Sequence, residues 1–150
     1  MKYDSKNQPV TMLSYYPKGN KRYSKNYKNG VLIEEKKWHK NKNLERIYIY
    51  DEKGHPISRE SFFSSGQPKL VEKFKNNIKH GEHVEYYDNG NIKKEGHFNR
   101  GLRDGNFKRY FIDGALKSEA VYENGSPIFQ AAYDPSGNKV SNQFVWRDPI

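Results

Sequence analysis

The feature that most constrains the fold is a turn signal that returns about every 12 residues along the chain. The residues that mark it are Gly30, Lys42, Gly54, Gly66, Asn77, Gly90, Gly101, Gly114 and Gly125. Several of them belong to Asn-Gly or Asp-Gly dipeptides, which favour tight hairpin turns because both central residues of a type I′ turn have positive φ. Turns at this interval predict short strands and interrupt any long helix.

Aromatic residues keep fixed distances from these turns. The stretches YYDNGNIKKEGHFNRG (residues 86–101) and YFIDGALKSEAVYENG (residues 110–125) place rings and glycines at the same positions, 24 residues apart. Residue classes recur at even offsets from the turn glycine, and a period of two is typical of strands. The pattern predicts an all-β fold over residues 1–150 as one domain. We expect an antiparallel meander of stacked hairpins, with about 12 residues per strand and turn and 24 per hairpin.

A two-residue turn at Asn89-Gly90 or Asp113-Gly114 would fix the register of its hairpin. Tyr87 would face Ile92 and Phe111 would face Leu116, while Phe98 would lie over Gly81 and Tyr122 over Gly105. Each strand glycine would then admit a ring from the neighbouring strand, which stacks the hairpins. The residues predicted to build the repeat are Gly81, Tyr86, Tyr87, Gly90, Phe98, Gly105, Tyr110, Phe111, Gly114 and Tyr122.

The composition agrees with a sheet that is wetted by solvent. Only 33% of the 150 residues are hydrophobic and the mean hydropathy is −1.15, but 15% are aromatic, which is unusual for a disordered chain. No apolar run approaches the roughly 18 residues of a membrane span. The start, MKYDSKNQPV, lacks the apolar stretch of a signal peptide, so we expect a cytoplasmic protein, or a periplasmic one if a leader has been removed.

At these repeats the sequence resembles the MORN-repeat family, specifically its bacterial variant. The resemblance is carried by HGEHVEYYDNGNIKKEGHFNRG and DGNFKRYFIDGALKSEAVYENG within residues 80–125, with weaker copies over 11–79 and a terminal cap over 126–150. It departs from the pattern at Phe129, where glycine is expected. The resemblance implies an elongated, twisted antiparallel sheet. It also implies an antitoxin of the YwqK-like type, whereas eukaryotic MORN proteins are associated with membranes and scaffolding.

No constellation of residues predicts catalysis. His80 and His83 flank Glu82 in HGEH, but positions i and i+3 of a strand point to opposite faces, so we expect no metal site. The chain has no cysteine, which excludes disulfides, thiolate metal sites and a cysteine nucleophile. No phosphate-binding glycine loop is present. We therefore expect a non-enzymatic protein without a cofactor.

Charge is the stronger functional signal. The net charge is +9, and residues 1–50 hold 12 Lys and Arg against 4 Asp and Glu. The candidate binding residues are Lys21, Arg22, Lys25, Lys28, Lys36, Lys37, Arg103, Lys108 and Arg109. Such an excess attracts an acidic protein, an anionic membrane surface or nucleic acid, or serves only solubility.

Three functions follow from these observations. The leading hypothesis is a protein-binding repeat module, such as an antitoxin or immunity-like protein that occludes a partner and is monomeric outside the complex. A toxin partner would need an acidic surface, or would dock on the near-neutral residues 80–125, because a basic toxin is repelled by the first third of the chain. The alternatives are association with an anionic membrane surface and, less favoured, binding of nucleic acid between interleaved aromatic and basic side chains.

Overall fold

The computed structural model describes residues 2–6 and 8–144, and all regular structure in this part of the chain is antiparallel β-strand. The chain divides into two compact units, residues 1–77 and 78–150. Unit 1 contains β1 (Lys2–Tyr3), β2 (Pro9–Tyr15), β3 (Lys21–Lys28), β4 (Val31–Trp38), β5 (Leu44–Tyr50), β6 (Pro56–Phe62) and β7 (Pro68–Lys75). Each strand pairs antiparallel with the next one along the chain.

Unit 2 repeats the same topology. It contains β8 (Ile78–Tyr86), β9 (Ile92–Asn99), β10 (Leu102–Tyr110), β11 (Leu116–Glu123), β12 (Ser126–Tyr133) and β13 (Lys139–Phe144). Consecutive strands are again antiparallel neighbours. The prediction of an all-β antiparallel meander of stacked hairpins is confirmed. Part of the predicted terminal cap, residues 145–150, lies outside the described residues.

Two kinds of turn connect the strands of unit 2. Arg100-Gly101 and Asn124-Gly125 are two-residue turns in which both residues have positive φ, as type I′ requires. At Asn89-Gly90 only the glycine has positive φ, and its N–H donates to the carbonyl of Tyr87 at 3.0 Å. This is a three-residue turn of type I followed by a left-handed glycine. Asp113-Gly114 is built in the same way.

The predicted two-residue turns at Asn89-Gly90 and Asp113-Gly114 are therefore wrong, and so are two of the pairings built on them. Ile92 pairs with Tyr86 instead of Tyr87, and Leu116 pairs with Tyr110 instead of Phe111. Each longer turn shifts the register by one residue. A β-bulge then shifts it back, because one residue of the following strand (Lys93 in β9, Lys117 in β11) has no partner.

Since these two shifts cancel, the predicted pairs of Gly81 with Phe98 and Gly105 with Tyr122 are present. The reason given for glycine at position 105 is wrong, however. A Cβ added there would meet no atom within 4 Å, so no ring covers the glycine. Its φ of 72° lies in the left-handed region, and this backbone conformation explains the preference for glycine.

Side chains join successive hairpins at the three-residue turns. The Tyr87 hydroxyl donates to the carbonyl of Tyr110 at 2.9 Å, and the amides of Asn89 and Asn91 both donate to the carbonyl of Ile112 at 2.9 Å. Unit 1 uses the same arrangement 48 residues earlier in the chain. There Asn41 and Asn43 donate to the carbonyl of Ser64, and His39 contacts the carbonyl of Phe62. These bonds occupy turn carbonyls that strand pairing leaves open.

Each unit has little apolar interior. Among the described residues, Phe107 and Ala131 are the apolar ones that are buried, at 8% and 3% exposure. A single layer of sheet leaves both faces near solvent, so aromatic rings and the aliphatic stems of Lys and Arg supply much of the cover. The low hydropathy of the sequence follows from this arrangement. Within the described ranges no helix could span a membrane.

Candidate functional site

One face of unit 2 carries a ladder of aromatic rings across β8 to β11, which we call the aromatic face. In strand order its members are His83, Phe98, Phe107 and Tyr122. Neighbouring ring centroids lie 5.6, 5.4 and 5.2 Å apart, and each pair meets edge to face. Such pairs contribute about 0.5–1.5 kcal/mol each beyond the area they bury. The ladder therefore ties four strands together.

The ladder depends on a break in the pairing of β9 with β10. Regular pairing of β9 stops at His97 and resumes at Glu95, so residues 105–107 of β10 lie opposite Gly96 alone. The ring of Phe107 packs directly on Gly96, where an added Cβ would lie 2.3 Å from the ring carbon Cδ1. Gly96 is thus the strand glycine that a ring covers.

The same break leaves a hollow on the opposite face of unit 2, which we call the depression. It is lined by Glu82, Val84, Glu95, Gly96, His97, Asp104, Gly105, Asn106 and Lys108. Its volume is about 520 Å³, and it is open to solvent. The hollow forms because Phe107 turns away to the aromatic face while Gly96 and Gly105 contribute no side chain. Its floor is therefore backbone and its walls are side chains from three strands.

The walls of the depression are predominantly acidic. Glu82, His97 and Asp104 are direct neighbours across β8, β9 and β10. Glu95 accepts a hydrogen bond from the Tyr110 hydroxyl at 2.5 Å. Burial and this bond raise the pKa of Tyr110 to about 12, so the tyrosine remains a neutral donor.

The three predicted binding residues of unit 2 do not lie together. Arg103 belongs to the aromatic face, where its guanidinium lies 5.1 Å from the Tyr122 ring centroid and donates to the Tyr122 hydroxyl at 2.7 Å. Lys108 points the other way and lines the depression. Arg109 is exposed and pairs across the ladder of strands with Lys94.

Lys94 is itself bound to Glu85 at 2.6 Å, and Glu85 also contacts His83 at 3.0 Å. Burial acts to raise the pKa of Glu85, but the hydrogen bonds from Lys94 and His83 outweigh it and hold the pKa below its usual value. His80 lies on the opposite face from His83, beside His97 with ring centroids 6.3 Å apart. No group in the described residues brings together enough ligands to hold a metal ion.

The predicted basic residues of unit 1 are also distributed. Lys25 and Lys37 lie on one face and Lys36 on the other, as their pairing along β3 and β4 requires. All three are in ion pairs: Lys25 with Glu35, Lys36 with Glu34 and Lys37 with Glu45, at 3.7, 2.7 and 2.6 Å. Lys28 is exposed at the end of β3. The charge excess is therefore partly neutralised within the sheet.

A third group of cations lies on β-bulges. Lys93 and Lys117 in unit 2, and Arg22 and Lys69 in unit 1, are exposed residues without a strand partner. Each lies over the ring six residues earlier in the chain, at 5.7, 5.4, 5.9 and 5.5 Å respectively. Lys21 similarly lies 5.8 Å from the Trp38 ring centroid. One face of each ring is thereby covered, whereas base stacking needs an open face.

Sequence reasoning missed the residues that line the depression. Glu82, His97 and Asp104 look like ordinary exposed strand residues, because nothing in a period of two predicts that β10 bulges by three residues. A signal was present in the second strand glycine: a left-handed glycine inside a strand often marks a bulge.

The comparisons with known proteins agree with the repeat. The family model described as MORN repeat variant matches residues 10–29, 79–100 and 103–125. The last two segments contain the aromatic face and the depression. No curated protein matches the chain. The chain is thus a β-sheet repeat protein in which three segments are repeats of the MORN variant type.

Proposed function

We propose that this chain is a non-enzymatic protein-binding module, of the kind that antitoxin and immunity proteins use to occlude a partner. The observation that carries the proposal is the division of labour within the repeat of unit 2. Positions that recur between copies form the scaffold, since Tyr87 bonds to the next hairpin and Phe98 and Tyr122 pack in the aromatic face.

Positions that differ between copies point outward around the depression. Glu82 corresponds to Asn106 one repeat later, and Val84 corresponds to Lys108. His97 corresponds to Val121. A constant frame with variable outward side chains is how repeat proteins present a binding surface.

The charge of unit 2 supports docking of a protein there. Unit 2 holds 10 Lys and Arg against 10 Asp and Glu, whereas unit 1 holds 17 against 8. The full positive excess thus belongs to unit 1, and unit 2 does not repel a basic protein by its net charge. Basic proteins include the nucleases that antitoxins commonly neutralise, because nucleases grip phosphates.

Site-specific photocrosslinking tests the proposal. A photoreactive residue at His97 of the depression should form an adduct with one protein in the native cell, and the adduct should disappear when Asn106→Arg and Val84→Arg fill the site. A photoreactive residue at Lys117, on the aromatic-face side of the bulge, is the matched control and should not form this adduct. Absence of any protein adduct from His97 in the folded protein would refute the proposal.

A second candidate function is association with an anionic membrane surface. It is favoured by the exposed cations on bulges, which in unit 2 are Lys93 and Lys117, one hairpin apart. Hairpins repeat at about twice the strand spacing of 4.8 Å, and each such cation contributes about 1 kcal/mol near an anionic leaflet. Sedimentation with phosphatidylserine vesicles should then weaken for Lys93→Glu with Lys117→Glu. Equal binding by the variant and the parent protein would exclude this function for the bulge cations.

A further inference from the structure

The depression is a preformed concave site in an otherwise flat sheet. Its floor consists of backbone at Gly96 and Gly105, since neither residue has a side chain. It is held open from the opposite face, where Phe107 occupies the space above Gly96 and is fixed between two other rings. A site supported in this way does not need to reorganise before it binds a ligand.

The carboxylates of the walls differ from most strand carboxylates of the chain. Glu35, Glu45 and Glu85 each form an ion pair with a lysine within about 4 Å. In the described part of the chain, Glu82 and Asp104 form neither an ion pair nor a side-chain hydrogen bond, although the protein carries 27 Lys and Arg. The hollow thus holds acceptor groups that the fold itself does not satisfy.

The placement of these two carboxylates fits a planar cation. They lie on β8 and β10, on either side of His97 in β9. Their backbones are therefore separated by about two strand spacings, roughly 9.6 Å, with open space between them. Arginine presents donors on both edges of a planar group, so it can bridge two carboxylates, whereas lysine offers a single compact charge.

We propose that the depression binds an arginine side chain of the partner protein, with the guanidinium between Glu82 and Asp104. The inference rests on the proposed protein-binding function and assigns the chemistry of its central contact. Lys108 at the rim repels a second cation and limits the site to one. Charge complementarity of this kind also orients a basic partner toward unit 2 and away from unit 1.

The test uses the full chain and a neutral-backbone probe, the capped tripeptide Gly-Arg-Gly. In ¹⁵N NMR titrations this peptide should shift the backbone amide signals of Gly96, His97 and Gly105. The capped peptide with lysine should bind more weakly. The one with citrulline, which has nearly the same shape without the charge, should not bind.

Charge-matched variants locate the contact. Glu82→Gln with Asp104→Asn should weaken binding of the arginine peptide about tenfold or more, because both charge-assisted bonds are lost. Glu52→Gln with Asp113→Asn removes the same charge from turns outside the depression and should leave the affinity unchanged. Equal weakening by both variants would show a general charge effect and overturn the assignment, as would citrulline binding as well as arginine.

The outcome is separable from that of the proposed function. If His97 crosslinks to a protein but the arginine peptide produces no localised shifts, the partner binds by other chemistry and only the arginine assignment is refuted. If the arginine peptide binds at the depression and no protein adduct forms, the site accepts a guanidinium that does not come from a partner protein. That second result would overturn the partner assignment.

Discussion

Gly96→Ala should be among the most destabilising small substitutions in this protein. The added Cβ would lie 2.3, 2.4 and 2.7 Å from three ring carbons of Phe107, far inside van der Waals contact. The ring cannot rotate aside easily, because Phe98 and Tyr122 flank it at 5.4 and 5.2 Å. The backbone of Gly96 is not in the left-handed region, so steric overlap with the ring is the dominant cost.

Two limits bound the magnitude. If the ring shifts but remains inside, overpacking costs roughly 1–3 kcal/mol. If the ring is expelled, the loss approaches that of Phe→Ala in a core, about 3–5 kcal/mol. We expect a loss of about 2–4 kcal/mol for Gly96→Ala, which for a chain of this size lowers Tm by roughly 5–15 °C. Urea and thermal unfolding followed by far-ultraviolet circular dichroism measure it.

A double-mutant cycle tests the cause. In a Phe107→Ala background the clash no longer exists, so Gly96→Ala should become nearly neutral. Gly105→Ala is the contrasting control, because no atom lies near its added Cβ and its cost of about 1–2 kcal/mol comes from a φ of 72°. That cost should persist in the Phe107→Ala background. If Gly96→Ala is equally destabilising with and without the Phe107 ring, the explanation by packing is wrong.

Three further outcomes are expected. Lys42 adopts a φ of 76° at a turn position where glycine is preferred, so Lys42→Gly should raise the unfolding free energy by about 0.5–1 kcal/mol in urea titrations, and a loss would contradict this. The pKa of Tyr110 is raised to about 12 by burial and the bond to Glu95, so stability from this group should fall as the pH rises from about 10 to 12, and Tyr110→Phe should remove that pH dependence from alkaline unfolding curves. Lys37→Glu should destabilise by placing like charges together, and the swap Lys37→Glu with Glu45→Lys should recover most of the loss, measured by the urea midpoint; no recovery would mean that the ion pair contributes nothing.

The arrangement of strands could be predicted because its signals are local. Glycines and asparagines at turn positions and aromatic residues at even offsets are sufficient to place every hairpin of residues 80–125. Even Lys42 was recognised as a turn position from spacing alone, and its positive φ agrees with that prediction. The period fixes which residues end strands, whichever residue occupies the turn.

The type of turn could not be predicted from the same dipeptides. Asn89-Gly90 and Asn124-Gly125 are both Asn-Gly, yet the first belongs to a three-residue turn and the second to a type I′ turn. At the first, the side chain of Asn89 accepts a bond from the Asn91 N–H and donates to the next hairpin. The choice is therefore made partly by contacts 23 residues away, which a local rule does not include.

The basic surface shows a similar limit. Counting charges predicted an excess in residues 1–50, and that excess is a property of composition. Counting does not show that Lys37 reaches Glu45 on the neighbouring strand, since this pairing depends on a bulge at that residue. The candidate site at the depression was missed for the same reason: it is created by a bulge, and bulges interrupt the periodicity used to assign faces.

The chain itself contains a comparison that links the glycine, the ring and the depression. One repeat after Gly96 the sequence has Ala120, and one repeat after Phe107 it has Ala131. In that copy Glu119 pairs with Ala131 in regular register, without the three-residue bulge. Glycine and phenylalanine are therefore replaced together, as a steric pair requires: once a Cβ occupies the first position, a ring cannot occupy the second. It follows that the depression is a feature of one copy of the repeat, and that a binding site can be made or removed by exchanging these two residues while the turns and strands around them stay the same.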